Sequence, residues 1–340
     1  MKNSPEAART KKRASVKSMA DWGAHDHNVL ALQGGGALGA YQAGVYDGLA
    51  GSGFVPDWVT GVSIGAINSA LIAGNPPERR VERLREFWER VSAQAPIVLP
   101  SSLEVMRPMM NRMSAAAAVV FGIPGFFSPR VVPPYMAAPG TINALSIYDT
   151  APLKATLEEL ADFDLINRKD VRLSLGAVNV RTAQSVYFDN HNTKITPEHV
   201  MASGALPPGF PPVEIDGEFY WDGGIVSNTP LHYVLEDFRV SALILQVDVF
   251  SGVGDVPQNM DQVQERAKDI QYASKQRLST TRVREVEELR AALAYMLGRL
   301  PKALQSDPAV QKLTAISRRG ALSLVRLVNH HSTHSSDFKD

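Results

Sequence analysis

The sequence contains no cysteine, and this absence excludes several kinds of chemistry at once. A chain without cysteine forms no disulfide, has no thiolate nucleophile and offers no cysteine ligand to a metal. Its N-terminal residues also lack the apolar core of a secretion signal. These absences favour a cytoplasmic protein whose chemistry depends on oxygen and nitrogen side chains.

Long apolar runs are also missing. A helix needs ~20 apolar residues to cross a bilayer, and no stretch approaches that length. The nearest candidate, residues 115–127, is shorter and is interrupted by Gly122, Pro124 and Gly125. The sequence therefore predicts a protein that contacts a membrane at most peripherally.

The chain has no net charge, because 35 Lys and Arg residues balance 35 Asp and Glu residues. This balance gives no electrostatic reason to expect a nucleic-acid partner. The charge is unevenly distributed, since residues 1–20 hold six basic residues and one acidic residue. We interpret residues 1–27 as a basic flexible tail, either solvated or in contact with an anionic surface.

Short apolar runs alternate with helical patterns, which indicates an α/β fold with a mainly parallel sheet. Strands are predicted at residues 28–32, 54–60, 171–178, 185–189 and 242–249, the last of them deep in the sheet. Helices are predicted at residues 37–46, 66–73, 78–92 and 152–160.

Residues 95–141 break this alternation, because they are rich in Pro, Met, Ala and Gly and have little periodicity. We interpret them as an insertion that forms a lid or pocket wall, with ordinary core packing as the alternative. The apolar side chains that would line such a pocket are Met109, Met110, Met113, Val119, Val120, Phe121, Phe126 and Phe127.

Residues 251–340 are interpreted as a mainly helical C-terminal extension that follows a catalytic domain at residues 28–250. An apolar stripe in this extension has helical spacing, which is typical of core packing. Its members are Val286, Leu289, Leu293 and Met296. The sequence ends in a polar stretch without an obvious closing element, so we expect a longer natural chain.

A G-x-S-x-G motif at residues 61–65 lies between a predicted strand and a predicted helix. In this context the motif places its serine, Ser63, on a sharp turn with the hydroxyl exposed. Gly61 and Gly65 allow the backbone to turn tightly, and the helix directs its N-terminal amide groups at the serine. Ser63 is therefore the candidate nucleophile, with a plain structural turn as the alternative.

A serine hydroxyl needs a base to take its proton, and none of the eight histidines is suitably placed. Five precede the first strand or lie in the polar C-terminal stretch, whereas His191, His199 and His232 fit surface or helix positions. Asp222 is the better candidate, because the two glycines after it form a tight turn. Asp-Gly is also a common plain turn, so the residues alone leave both interpretations open.

Gly34, Gly35 and Gly36 follow the first predicted strand. Their N–H groups can stabilise developing negative charge, as an oxyanion hole does. The rival interpretation is a dinucleotide-binding loop, because Gly34, Gly36 and Gly39 spell G-x-G-x-x-G and Asp57 lies about 20 residues on. The acid of that fingerprint should end a strand, whereas Asp57 precedes an apolar run.

These three motifs, in this order, resemble the patatin-like phospholipase family over residues 28–250. The segments that carry the resemblance are G-G-G-x-x-G at 34–39, G-x-S-x-G at 61–65, D-G-G at 222–224, and the flanking Ala202–Pro212 and Asn228–Pro230. The helical C-terminal region resembles an extra part found in certain bacterial members.

The resemblance implies a three-layer α/β/α sandwich and hydrolysis of lipid acyl esters without a metal or other cofactor. It implies a Ser63–Asp222 dyad and an oxyanion hole built from the Gly34–Gly36 backbone. The supporting motif positions are Gly39, Gly61, Gly65, Gly223 and Gly224. The expected partner is a lipid or another acyl ester, and a non-lipid esterase or an acyltransferase would share every motif.

An aspartate with an ordinary pKa of about 3.9 is a weak base at neutral pH. If Asp222 takes the proton of Ser63, its site should therefore be partly desolvated, because burial raises the pKa of a carboxyl group.

Overall fold

A computed structural model describes residues 25–92, 118–237, 241–317 and 322–329. The strands are β1 (His27–Leu32), β2 (Trp58–Val62), β3 (Ser128–Pro129), β4 (Tyr148–Asp149), β5 (Arg172–Asn179), β6 (Ser185–Asp189), β7 (Val213–Ile215), β8 (Glu218–Asp222), β9 (Ala242–Asp248) and β10 (Leu322–Val328). The helices are α1 (Gly39–Gly51), α2 (Ile64–Ala73), α3 (Arg80–Ser92), α4 (Ala151–Leu160), α5 (Phe163–Arg168), α6 (Pro197–Ser203), α7 (Leu231–Asp237), α8 (Met260–Leu297) and α9 (Pro308–Ser317). Most of the predicted basic tail, and Met109, Met110 and Met113 of the predicted insertion, lie outside the described residues.

The central sheet has the strand order β10-β9-β1-β2-β5-β8-β7, and β6 also pairs with β5. Strands β10, β9, β1, β2 and β5 are parallel to one another. Strands β6, β7 and β8 join through antiparallel pairings. The predicted mainly parallel sheet is confirmed, and so is the deep position of β9, whose residues are all buried.

Helices cover both faces of this sheet. Leu30 and Leu32 of β1 pack into a large cluster that includes residues of α1 to α6. Val29 and Ala31 of the same strand face the other way, towards Val234 of α7. Because successive strand residues point to opposite faces, the two clusters lie on either side of the sheet. The three-layer α/β/α sandwich is confirmed.

The second strand and the helix after it differ from their predicted bounds. Strand β2 begins only at Trp58, since Pro56 has no N–H to donate to a neighbouring strand. The strand continues to Val62, and α2 begins at Ile64. Ser63 is therefore the single residue between strand and helix.

The described part of the predicted insertion contains both core and surface residues. Phe126 and Phe127 are buried in the main hydrophobic cluster, which agrees with ordinary packing. Phe121, by contrast, is 72% exposed. The lid itself stays a prediction, because residues 95–117 lie outside the described residues.

The apolar stripe of the C-terminal region does not pack into the core. It lies on α8, where Leu289 and Met296 are 70% and 66% exposed. The prediction of core packing for this stripe is therefore wrong. Helix α8 contacts α7 and α9, and these contacts leave the stripe in contact with solvent.

The C-terminal region also supplies an edge strand of the sheet that the sequence pattern does not indicate. Strand β10 pairs with β9 from Leu322 to Val328. Arg326 of β10 donates from Nε (2.8 Å) and Nη2 (2.6 Å) to Oδ2 of Asp248, which is fully buried. The division at residue 250 stays a prediction, although the sheet continues beyond it.

The ion pair between β9 and β10 should contribute to stability. We expect Arg326→Leu to lower the free energy of unfolding by about 3 kcal/mol, because it removes the guanidinium that pairs with the buried Asp248 carboxylate. Urea denaturation measures the change. The control is Arg284→Leu on α8, whose ion pair with Glu288 is largely exposed and should matter little. Equal effects of the two substitutions would show that the pair does not stabilise β10.

Candidate active site

Ser63 has an unusual backbone conformation. Its φ and ψ angles are 57° and −126°. Residues other than glycine adopt such a backbone conformation with positive φ at a cost of about 1–3 kcal/mol. The neighbouring Val62 and Ile64 are buried, whereas Ser63 is only partly buried. The predicted sharp turn is present, and Ser63 is partly exposed at its tip.

The two glycines of the motif are required by close backbone contacts. A Cβ on Gly61 would lie 2.2 Å from the carbonyl oxygen of Gly65. A Cβ on Gly65 would lie 2.4 Å from the carbonyl oxygen of Leu32, at the end of β1. Any larger residue would therefore push the start of α2 away from the sheet.

Hydrogen bonds hold the strained turn in place. The N–H of Ser63 donates to both the carbonyl oxygen and Oγ of Ser203, each at 3.1 Å. Ser203 is the last residue of α6, and its hydroxyl donates to the carbonyl oxygen of Gly176 at 2.6 Å. The carbonyl oxygen of Ser63 accepts from the N–H of Ala66 at 2.9 Å, which ties the turn to α2.

Strand pairing brings Asp222 to Ser63. Strand β2 runs parallel to β5 and ends where Val62 pairs with Gly176. Strand β8 runs antiparallel to β5 and ends where Asp222 pairs with the next residue, Ala177. Because β6 occupies the other edge of β5 at this point, β2 and β8 share one edge and meet end to end.

The Asp222 carboxyl group is buried and hydrogen-bonded. Its Oδ1 accepts from the N–H of Gly224 at 2.7 Å. Burial raises the pKa of Asp222 to about 6, although hydrogen bonding by the Ser63 side chain and by the Gly224 N–H opposes the rise. The expected desolvation of this aspartate is confirmed.

The glycine loop lies directly against the serine. A Cβ on Gly34 would lie 3.0 Å from Cβ of Ser63. The N–H of Gly34, however, donates to the carbonyl oxygen of Asn228 at 3.1 Å, so it is not a free donor for an oxyanion. Among the described residues, no group accepts from the N–H of Gly35 or Gly36. The prediction of an oxyanion hole therefore stays with Gly35 and Gly36.

Asn228 joins the glycine loop to the aspartate loop. Its Nδ2 donates to the carbonyl oxygen of Gly34 at 2.7 Å, in addition to the backbone bond from Gly34. Its Oδ1 lies 2.6 Å from where a Cβ on Gly224 would be. The segment around Asn228 contributes to the family resemblance, but the sequence indicates no role for its side chain. A hydrogen bond between two loops that are far apart in the chain leaves no local sequence pattern.

A buried polar network supports the other side of the glycine loop. Gln42 donates to the backbone carbonyl of Gln33 at 2.6 Å, and Asn68 donates to Gln42 at 3.0 Å. Trp88 in turn donates to Asn68 at 3.1 Å. These side chains of α1, α2 and α3 therefore hold the backbone at the start of the glycine loop.

The C-terminal helix α8 also reaches this region. Its Tyr272 stacks on Phe250, with ring centroids 4.7 Å apart. Val249 places Cγ2 only 2.3 Å from where a Cβ on Gly35 would be. Burial and, to a smaller extent, the charge on Asp222 raise the pKa of Tyr272.

Three histidines of the described region lie on the surface or at a helix cap. His199 belongs to the capping box of α6 through Thr196, and burial lowers its pKa. His191 and His232 are exposed. These positions agree with the surface and helix roles expected for them.

Asp57 does not fit the dinucleotide-binding alternative. It precedes β2 and accepts the backbone N–H of Asn28 at 3.0 Å, at the amino end of the parallel strands. The glycine loop follows the carboxyl end of β1, so loop and acid lie at opposite ends of the sheet. A ribose beside the loop would therefore be out of reach of Asp57.

Residues 25–92, 118–237, 241–317 and 322–329 contain neither a metal site nor a membrane span. No group of three or more His, Asp or Glu side chains there is arranged to hold a metal ion. No helix there has the length and hydropathy needed to cross a bilayer.

A partly exposed, strained serine beside a buried carboxylate is an arrangement typical of hydrolases with an activated serine. Comparison with protein families gives the more specific assignment. A model described as patatin-like phospholipase matches residues 30–235, which is more than half of the 340 residues. The chain belongs to the patatin-like phospholipase family, a family of lipid acyl hydrolases. A second model, described as patatin phospholipase, matches residues 270–340.

The comparisons with curated proteins and with solved structures give no further assignment. A search of curated proteins finds no match. Among solved structures, the crystal structure of VipD from Legionella pneumophila is similar, with 16% sequence identity and a TM-score of 0.38. The match covers 91% of this chain and 63% of the VipD chain, so this chain spans less than two thirds of that protein.

The close approach of Gly65 to β1 should make this position intolerant of a side chain. We expect Gly65→Ala to lower the free energy of unfolding by about 2 kcal/mol or more, because the new methyl group collides with backbone. The matched control is Gly48→Ala on α1, where a Cβ would meet nothing within 4 Å. There alanine should raise stability by about 0.5–1 kcal/mol. Thermal and urea unfolding measure the stability of both variants. Equal stabilities of Gly65→Ala and Gly48→Ala would contradict the close contact at Gly65.

Proposed function

We propose that the protein is a serine acyl hydrolase that cleaves lipid acyl esters, in the manner of a phospholipase A or a lysophospholipase. The observation that carries this proposal is the end-to-end meeting of β2 and β8, which brings the partly exposed Ser63 to the buried Asp222 carboxyl group. A pKa near 6 makes that carboxylate a stronger base than an ordinary aspartate, while it stays ionised at neutral pH.

In the first half of the reaction, Oγ of Ser63 attacks the ester carbonyl carbon while Asp222 takes the hydroxyl proton. The carbonyl oxygen becomes an oxyanion, which the N–H groups of Gly35 and Gly36 and the N-terminus of α2 stabilise. The carbon–oxygen bond to the alcohol then breaks, and Asp222 returns its proton to the leaving oxygen. The alcohol or lysolipid departs and an acyl-serine remains.

In the second half, water replaces the alcohol. Asp222 takes a proton from the water as its oxygen attacks the acyl carbon, and the same amide groups stabilise the second oxyanion. Collapse of this intermediate releases the fatty acid, and the proton on Asp222 returns to Ser63. The cycle needs no histidine, because one carboxylate serves as the base in both halves.

The apolar rim of the site supports a lipid rather than a polar ester as substrate. Leu206, Ile225 and Val226 are 44%, 40% and 44% exposed, and they lie in the two loops next to Asp222. Family membership points the same way. An acyltransferase would use the same dyad and would differ only in the acceptor that resolves the acyl-serine.

Removing either member of the dyad should abolish turnover, because the two groups act as a unit. We expect Ser63→Ala and Asp222→Asn to release no fatty acid from phosphatidylcholine or lysophosphatidylcholine, and no alcohol from a short p-nitrophenyl ester. The control is Ser52→Ala at the end of α1, which should keep full activity. Rates near the wild-type value in either dyad variant would contradict the mechanism.

The raised pKa of Asp222 predicts the pH dependence of activity. The base must be ionised, so kcat/KM for a soluble ester should fall about tenfold per pH unit below pH 6 and level off above it. A profile that falls only below pH 4 would mean that the base has an ordinary carboxyl pKa.

The free energy of unfolding should depend on pH in the opposite direction to activity. Between about pH 4 and pH 6 the unfolded state loses the Asp222 proton while the folded state keeps it, so stability falls as the pH rises. The burial of the ionised carboxylate costs about 3 kcal/mol at neutral pH. Asp222→Asn should therefore unfold at a higher urea concentration than the wild type at pH 7, and at a similar one at pH 4.

A further inference from the structure

One surface segment is both apolar and exposed. Residues 130–147, called the apolar loop from here on, connect β3 to β4, which pair with each other. Arg130 is the loop's only charged residue. The loop also contains Pro133, Pro134 and Pro139, which restrict its backbone.

The large side chains of the apolar loop point into solvent. Val131, Tyr135 and Met136 are 100%, 98% and 80% exposed. The other large apolar residues of the loop are between 42% and 48% exposed: Val132, Ile142, Leu145 and Ile147. Neighbouring apolar side chains that stay in water are characteristic of an interaction surface.

The one charge in the loop is a cation with neutral partners. Nε and Nη2 of Arg130 donate to Oγ of Ser146 at 3.0 and 2.9 Å, and Nη1 donates to Oδ1 of Asn143 at 2.8 Å. Within the part of the chain that the structure describes, no carboxylate forms an ion pair with this guanidinium. An apolar surface with a single unneutralised positive charge is suited to a layer of phosphate-bearing lipids.

Hydrogen bonds connect the apolar loop to the candidate active site. The N–H groups of Ile147 and Tyr148 donate to the carbonyl oxygens of Pro208 and Gly209, at 3.0 and 2.9 Å. The loop that contains Pro208 and Gly209 also supplies the carbonyl oxygen that accepts the N–H of Asp222, at 3.0 Å. The C-terminal end of the apolar loop is therefore held against the loop that carries Leu206 of the apolar rim.

Two other groups of exposed apolar residues lack this combination. Val253 and Val256 are 83% and 86% exposed, but Asp255 lies between them. The apolar stripe on α8 alternates with charged residues such as Arg284 and Glu288. An acidic or mixed surface is a poor match for anionic lipid.

We propose that the apolar loop docks the protein on the surface of a phospholipid bilayer and so presents the candidate active site to its substrate. The proposal rests on the proposed lipid hydrolase function. Docking transfers Val131, Tyr135 and Met136 from water into the interfacial region, where aliphatic side chains are stabilised and a tyrosine keeps its hydroxyl among headgroups.

Vesicle sedimentation tests the docking directly. We expect the wild type to sediment with vesicles of phosphatidylcholine and phosphatidylglycerol. The variant Val131→Ser/Tyr135→Ser should lower the partition coefficient by about tenfold or more, as expected when two apolar side chains are lost from the interface. The matched control is Val253→Ser/Val256→Ser, which should bind as the wild type does. Both double variants should hydrolyse a soluble short-chain ester at the wild-type rate.

A single-cysteine label provides a second readout that does not depend on truncated side chains. Because the natural sequence has no cysteine, Val131→Cys carries a unique site for an environment-sensitive fluorophore. Vesicles should shift the emission of the label at residue 131 to shorter wavelength. A label on Val253→Cys should show no shift.

The outcomes separate the docking proposal from the proposed function. Three results would each overturn the docking proposal. They are wild-type protein that does not sediment with the vesicles, a loop variant that binds as well as the wild type, and a label at residue 131 whose emission does not shift. Hydrolysis of the soluble ester would then still support the hydrolase. Vesicle binding without any hydrolysis of soluble ester or phospholipid would instead count against the proposed function.

Discussion

The candidate site depends on β2 and β8 pairing with the same edge of β5. Gly176 pairs with the last residue of β2, and Ala177 pairs with the last residue of β8. Because β2 is parallel to β5 and β8 is antiparallel to it, the two strands approach from opposite directions. Their ends present Ser63 and Asp222 to each other. A register shift of one residue in either strand would move its side chain to the wrong face.

Two unfavourable features are concentrated at this junction. Ser63 has a left-handed backbone conformation, and Asp222 is a carboxylate with almost no contact with water. Ser203 stabilises the first through the Ser63 N–H, and the N–H of Gly224 stabilises the second. The large hydrophobic cluster beneath supplies the stability that such a site requires. In the proposed mechanism the strain at Ser63 exposes the nucleophile, and the burial of Asp222 strengthens the base.

The sequence predicts the features that local chemistry determines. The strand–serine–helix turn follows from residues 61–65, because its glycines and its strain lie within one short segment. The α/β order and the burial of β9 follow from periodicity and apolar content. The motif glycines likewise indicate close backbone contacts, because a residue without a side chain is needed where two backbone segments meet.

Features that depend on distant contacts could not be predicted in the same way. Asn228 and Ser203 act on loops far away in the chain, and neither has a local pattern that shows its role. Strand β10 carries Arg326, whose charge is explained only by Asp248 on the neighbouring strand. The stripe on α8 has the periodicity of a buried face, but nothing in the periodicity tells whether another element covers it.

The central claim is that Asp222 activates Ser63. Its most direct test is the reaction of the purified protein with a fluorophosphonate probe, followed by mass spectrometry of the labelled peptide. The account predicts a label on Ser63 in the wild type, slower labelling below pH 6, and no label in Asp222→Asn. Labelling of Asp222→Asn at the wild-type rate, or no label on Ser63 in an active wild-type protein, would contradict it.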